Sequence, residues 1–164
     1  MFLYTRPYLK MPMLQGLAGG ELFVLTEPFA WVRPDGTRIL VPPSGLGDFD
    51  SIVQWPTWTT DEGSIPKLFQ NIFEKAGPNV PSFIVHDWQY ASEAKPQRDC
   101  DLDLLTCLHE TENIEVKRHL IYEGVAVGGE LVWNQHDPVE VTGLKAYNTA
   151  FLDLVPARWP MLLA

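Results

Sequence analysis

Cysteine is nearly missing from this chain of 164 residues, which holds only Cys100 and Cys107. Seven positions apart in one predicted helix, their backbones stand about 10 Å from each other, too far for a disulfide. Two thiols also fall short of the four ligands of a structural zinc site. Free thiols fit folding in a reducing cytoplasm. Basic residues are scarce as well, 12 Lys and Arg against 21 Asp and Glu, for a net charge of −9. No basic cluster is visible, and binding to a nucleic-acid backbone needs phosphate neutralisation, so no nucleic-acid partner is expected. No apolar run approaches the roughly 20 residues of a membrane-spanning helix, so no transmembrane segment is expected. The start, Met1-Phe-Leu-Tyr-Thr-Arg6, lacks the basic-then-apolar order of a secretory leader. Internal repeats and low-complexity stretches are absent. What is present is ordinary for a globular domain with a real core: 46% hydrophobic and 20% charged residues.

Residues 1–20 are apolar and aromatic with little periodicity, and are expected to form an N-terminal docking arm. Phe29-Ala-Trp-Val32, the turn sequence Arg33-Pro-Asp-Gly36 and Thr37-Arg-Ile-Leu-Val41 predict a hairpin, with Phe23-Val-Leu just ahead of it. Pro42-Pro-Ser-Gly stops the last strand. Asp48 to Trp58 reads as an irregular insertion or a further short strand. Ser64-Ile-Pro66 marks a helix start, with Ser64 as cap and Leu68, Phe69, Ile72 and Phe73 on one face. Further helices are expected over about Pro81 to Glu93, Gln97 to Glu112 and Ile114 to Val132. Past Trp133 the prolines at 138, 156 and 160 suggest a C-terminal docking arm over 134–164. The reading is an α+β fold: a small antiparallel β-sheet of hairpins followed by a three- to four-helix cluster. One domain spans 21–133, with extended arms on either side.

The stretch with the most chemistry is Pro81-Ser-Phe-Ile-Val-His86-Asp87-Trp-Gln-Tyr90. A histidine, an aspartate and a tyrosine share a short helix with Phe83, Ile84, Val85 and Trp88. An unpaired buried polar group costs a few kcal/mol, so partners are required. In the next helix Cys100, Leu104, Leu105, Cys107 and Leu108 form one face, and Asp101 falls inside that apolar arc. Asp99, Asp103, Thr106 and Glu110 form the opposite face, read as solvated. Packing the two helices antiparallel across Ala94-Lys-Pro-Gln97 brings Asp101, Asp87, His86 and Tyr90 together. A histidine held by a buried carboxylate has a fixed tautomer and, with substrate or water on its other nitrogen, acts as a general base. Asp87 lies about 100° further round the helix and cannot share that bond; it suits a hard cation such as Ca²⁺. The plainer reading is a buried polar network that joins two helices without chemistry. Ser64 is read as a helix cap rather than a nucleophile beside Asp61. His136-Asp137-Pro138 is read as turn chemistry, His109 and His119 as surface, and Trp55 and Trp58 as core or interface.

Val41-Pro-Pro-Ser-Gly, Thr60-Asp61-Glu-Gly-Ser64-Ile65-Pro66, His86-Asp87-Trp-Gln-Tyr90, Arg98-Asp-Cys-Asp101 and a Gly128-Gly129 helix end occur in that order. The series resembles a tailed-bacteriophage family catalogued as a domain of unknown function, number 1353, over about residues 22–133. Residues 46–57 are an insertion relative to that pattern, and Cys100 stands where the family has alanine. The resemblance implies a bacteriophage origin and, with the arms, a place in the virion after synthesis in the bacterial host cytoplasm. The His-Asp-x-x-Tyr helix followed by an aspartate is also similar to phospholipases of the A-two type. That likeness implies His86 as base, Asp87 as Ca²⁺ ligand, Asp101 as the residue orienting His86, and Tyr90 as a supporting hydrogen bond. Asp61 in Thr60-Asp61-Glu62-Gly63 is a second candidate metal ligand. Two functions therefore stand side by side. One is a virion-associated hydrolase acting on an ester or envelope component. The other is a non-catalytic virion structural or assembly component that binds other virion proteins, or copies of itself, through its arms.

Overall fold

A computed structural model describes residues 1–6, 12–17, 22–60, 77–112 and 114–164. Its strands are β1 (Phe2–Tyr4), β2 (Leu14–Gly16), β3 (Phe23–Leu25), β4 (Phe29–Val32) and β5 (Arg38–Val41). The helices are α1 (Phe49–Gln54), α2 (Val80–Ala91), α3 (Gln97–Thr111), α4 (Glu115–Trp133) and α5 (Pro138–Arg158), with a final 3-10 turn over Pro160–Leu163. Small antiparallel sheets from the N-terminal strands followed by a set of helices make this an α+β protein, as the sequence predicts. No helix among the described residues is long and apolar enough to cross a membrane. The chain divides into two compact units, Met1–Asp61 with Gly143–Ala164, and Glu62–Thr142.

In the first unit β1, β4 and β5 form an antiparallel sheet in that order, with Phe29 opposite both Tyr4 and Val41. The β4–β5 hairpin turns where Arg33-Pro-Asp-Gly36 predicts. Gly36 sits at φ 85°, a left-handed conformation that glycine adopts without steric cost. Asp35 Oδ1 accepts from the backbone and the hydroxyl of Thr37 at 2.8 and 2.7 Å, which holds its carboxyl below the usual range. β2 pairs with β3, and Phe23 bridges to Thr60. Ser44, fully buried, accepts from the Leu25 backbone through its hydroxyl at 2.9 Å, and Pro43 O accepts from both Trp58 Nε1 and Tyr147 OH. The Pro42-Pro-Ser-Gly motif is thus a tie point for the unit. Trp58 belongs to the core, whereas Trp55 is exposed.

Several expectations differ from this unit. The stretch from Asp48 is neither irregular nor a strand: Asp48 caps α1 by accepting from Ser51 N at 2.9 Å, and Ile52 buries its inner face. A good local cap here outweighs a segment rich in Trp and Pro. The ends are not arms in their described parts. Phe2–Tyr4 pairs along β4, and Phe151, Val155 and Leu162 pack on Ala30 with Leu3 and Leu40 beside them. Past Trp133 the chain forms a helix of 21 residues, because Asp137 accepts from Val139 N at 2.8 Å and Pro138 fits a first helical turn. The divisions at Asp61 and Thr142 accordingly differ from those expected at 20 and 133.

In the second unit Phe83, Leu104, Leu108 and Ile121 form the apolar core shared by α2, α3 and α4, with Val125 against it. Pro81 stands in the first turn of α2, and Pro96 precedes α3 with φ −54° and ψ 143°. Between them α2 closes with Glu93 at φ 43°, with Glu93 N donating to Tyr90 O and Ala94 N to Gln89 O. A left-handed non-glycine residue costs about 1 kcal/mol. The connection is short enough to turn the chain directly from α2 into α3. The helix expected from Ser64, with Leu68, Phe69, Ile72 and Phe73, lies outside the described residues. Gly128-Gly129 falls inside α4 rather than at its end.

Candidate functional site

The apolar periodicity of α2 buries Phe83, Ile84, Val85 and Trp88, and the same packing carries His86 and Tyr90 inward. On α3 the helical phase that buries Cys100, Leu104 and Leu108 buries Asp101 with them. The two helices meet as predicted. His86 Nε2 lies 2.9 Å from Asp101 Oδ1, and Tyr90 OH donates to the same oxygen at 2.7 Å. An ionised carboxylate only accepts, so in this contact Nε2–H is the donor to Asp101. All three side chains are buried; His86 retains 6% of its surface. The His86 and Tyr90 rings lie 4.1 Å apart at 39°. Burial and the hydrogen bond to Asp101 push the Tyr90 phenol far above its ordinary value, so it stays an un-ionised donor. Burial, aided by the Asp101 charge, pushes the neighbouring Cys100 thiol up to about 12, which makes it a packing residue and not a nucleophile.

Tyr90 is fixed from its other side by α4. A Cβ at Gly129 would overlap the Tyr90 hydroxyl and stand 3.1 Å from ring atoms Cε1 and Cζ, so α4 approaches this closely because residue 129 is glycine. One turn on, Trp133 meets Tyr90 edge to face with centroids 5.1 Å apart. Trp133 also lies 5.4 Å from His136, whose Nδ1 is 3.2 Å from Glu93 Oε1. His136, read from sequence as turn chemistry, therefore joins the start of the α5 segment to the left-handed end of α2.

Polar couples flank this group along both helices. Gln89, fully buried, donates to Asp103 Oδ2 at 2.8 Å, and Lys95 pairs with the same carboxylate. Asp103 is thus buried rather than solvated, because the α2–α3 connection brings Lys95 back over it. Toward the far end Ser82 and Thr111 share a hydrogen bond of 2.9 Å. Asn79 Nδ2 donates to Glu112 Oε2 at 3.1 Å, and Lys117 pairs with Glu112 at 2.7 Å. Burial pushes the Glu112 carboxyl up, but its bonds from Lys117, Asn79 and the Ile114 backbone outweigh that and hold it below the usual value. Gln89 and Glu112 were not singled out from sequence, and Asp103 was read there as solvated. The usable signal was polar residues on α2 at helical spacing from His86.

Asp87 is half-buried and has interactions of its own. Asp61, the other candidate metal ligand, lies outside the described residues. Among the described residues no three His, Cys, Asp or Glu side chains come together as a metal site.

The fold and this constellation define an α+β protein whose helix pair is centred on a buried His-Asp-Tyr group. The chain belongs to the family described as protein of unknown function (DUF1353), whose model matches residues 23–125 and so takes in the hairpin, α2, α3 and the first half of α4. No curated protein and no solved structure matches the chain.

Proposed function

We propose that this chain is a bacteriophage-encoded, virion-associated protein with a hydrolase-type site on α2 and α3, acting on an ester or envelope component. The observation that carries the chemistry is the single Asp101 oxygen that accepts from both His86 Nε2 and Tyr90 OH. In this reading His86 Nδ1 takes a proton from water as its oxygen adds to the acyl carbon, Asp101 stabilises the imidazolium through Nε2–H, and the tetrahedral adduct collapses by breaking the bond to the alcohol oxygen, which takes the proton back from Nδ1. Tyr90 holds Asp101 in place. The likeness of His86-Asp87-x-x-Tyr90 and Asp101 to A-two type phospholipases supports these roles. It also keeps Asp87 and Asp61 as candidate Ca²⁺ ligands, with no step routed through the cation. The phage part rests on the family resemblance that the ordered motifs carry, and the virion part on that resemblance together with the apolar, aromatic ends of the sequence. Partners in this reading are other virion proteins or further copies of the chain.

A second reading is favoured by a specific observation. His86 is only 6% exposed, and the polar couples continue on both sides of it from Asn79 to Lys95. Such a run suits a non-catalytic virion component in which His86 and Asp101 only join two helices. Purified chain assayed on short- and long-chain carboxylic esters and phospholipid vesicles, with and without Ca²⁺, separates the two. If the site is catalytic, wild type hydrolyses an ester, and His86→Asn lowers the rate by roughly 10²- to 10⁴-fold while the circular dichroism is unchanged. No hydrolysis by wild type, with His86→Asn changing only the melting temperature, selects the second reading.

A further inference from the structure

Gly128-Gly129 reads from sequence as a helix end, yet it lies inside α4, which runs on to Trp133. Glycine in a helix interior costs stability relative to alanine, so its presence there needs a local cause. Gly129 is buried, and the atom nearest its missing side chain is a polar one. A Cβ would overlap the Tyr90 hydroxyl oxygen and stand 3.1 Å from Cε1 and Cζ of that ring. Gly143, inside α5, has nothing within 4 Å of the same position, so the close approach is particular to residue 129. Trp133, one turn further along α4, meets the Tyr90 ring edge to face with centroids 5.1 Å apart. The His86 ring lies against it at 4.1 Å. Tyr90 is thus confined by three neighbours, and in this position its hydroxyl reaches Asp101 Oδ1 at 2.7 Å. His86 Nε2 lies 2.9 Å from that same oxygen.

The geometry points to Gly129 and Trp133 as positioning residues for the His86–Asp101 pair, acting through the Tyr90 hydroxyl. The physical link is short. One carboxylate oxygen serves two donors, so the direction of either bond constrains the other. A methyl group at residue 129 leaves Tyr90 two ways to yield. Moving the hydroxyl breaks its bond to Asp101, and pushing α4 away takes Trp133 off the ring. In either case the Asp101 carboxylate is held less firmly and the imidazole turns more freely. A general base must be aimed, and a misplacement of about 1 Å costs up to about 100-fold in rate. That consequence for rate rests on the hydrolase reading, whereas the seating of Tyr90 does not.

NMR of the imidazole nitrogens in the full chain tests the proposal. In wild type the His86 Nε2–H proton should exchange slowly with water, because it is buried and bonded to Asp101. Gly129→Ala should speed that exchange by about tenfold or more, whereas Gly143→Ala should leave it unchanged. Trp133→Leu, which removes only the wall beside the ring, should act in the same direction to a smaller extent. Urea midpoints then read the contact itself. The fall caused by Gly129→Ala should shrink when Tyr90→Phe is also present, since the overlapping oxygen is gone. If Gly129→Ala does not fold, a folded Gly129→Ala/Tyr90→Phe chain gives the same result, and Trp133→Leu alone decides the exchange arm. Where wild type hydrolyses an ester, Gly129→Ala and Tyr90→Phe should each lower kcat by about tenfold or more with KM little changed. The two together should lower it no further than either, because both act through one hydroxyl. A wild type without hydrolysis removes the hydrolase reading and leaves exchange to decide the positioning role. Exchange at His86 unchanged in every folded variant of Gly129 and Trp133 overturns the proposal. So does a Gly129→Ala effect on the urea midpoint that is equal with and without Tyr90→Phe.

Discussion

Ala30, Phe151, Val155 and Leu162 meet through carbon alone in the sheet-bearing unit, whereas α2 and α3 add to their shared Phe83, Leu104 and Leu108 a line of polar couples. The two arrangements respond to change differently. An apolar core depends on volume and area, and it accepts other apolar side chains of similar size. A polar couple in a buried position depends on its partner: losing one member leaves a donor or acceptor with nothing to satisfy it. Such couples also fix register, since His86 can reach Asp101 in one helix pairing only. The contrast explains why the most chemically distinctive residues lie on α2 and α3, whatever they do there.

The contrast can be broken at its strongest points. Phe151→Ala removes the largest fully buried side chain of the Ala30 cluster and should cost roughly 3–5 kcal/mol in urea denaturation. Hydrogen exchange should then show the loss of protection at β4. A loss below about 1 kcal/mol would mean that the cluster collapses around the gap, and that carbon packing there is not specific. Next in size is Asp101→Ala, which strands both His86 Nε2–H and Tyr90 OH and should cost about 2–4 kcal/mol. Combining Asp101→Leu with His86→Leu and Tyr90→Phe should recover much of that loss, because apolar replacements leave fewer groups unpaired. If the triple variant is less stable than Asp101→Ala alone, the group contributes more than satisfied pairing.

The smallest effect sharpens the contrast through pH. The Glu112 carboxyl is held below the ordinary value of 4.5. A depressed folded value contributes stability above that ordinary value and loses it as pH falls through the folded one. Glu112→Gln should therefore cost about 1 kcal/mol at neutral pH, and the gap to wild type should close on acidification. Phe151→Ala should show no such closure, since nothing titrates in the Ala30 cluster. A Glu112→Gln gap that stays constant with pH would remove the charge from this account.

What the sequence determined by itself is what short range decides. Arg33-Pro-Asp-Gly36 sets its own turn, because Gly36 accepts a left-handed φ and Asp35 bonds two residues ahead. Helical phase alone put Asp101 on the face of its helix that buries Cys100, Leu104 and Leu108. The family pattern is equally local, four motifs in order. The tertiary structure decided the rest. Asp103 and Asp101 differ by two positions on one helix, and the return of Lys95 and the approach of Gln89 bury Asp103 as well. The Asp48 cap and the Asp137-Pro138 start were present in the sequence. A Pro- and Trp-rich composition masked the first, and the scattered prolines past Trp133 masked the second. That residues 2–4 pair with β4, and that Leu162 packs on Ala30, depends on surfaces far apart in the chain. Periodicity assigns a face to each element but does not name the face it meets; packing chooses that, and with it the surroundings of His86.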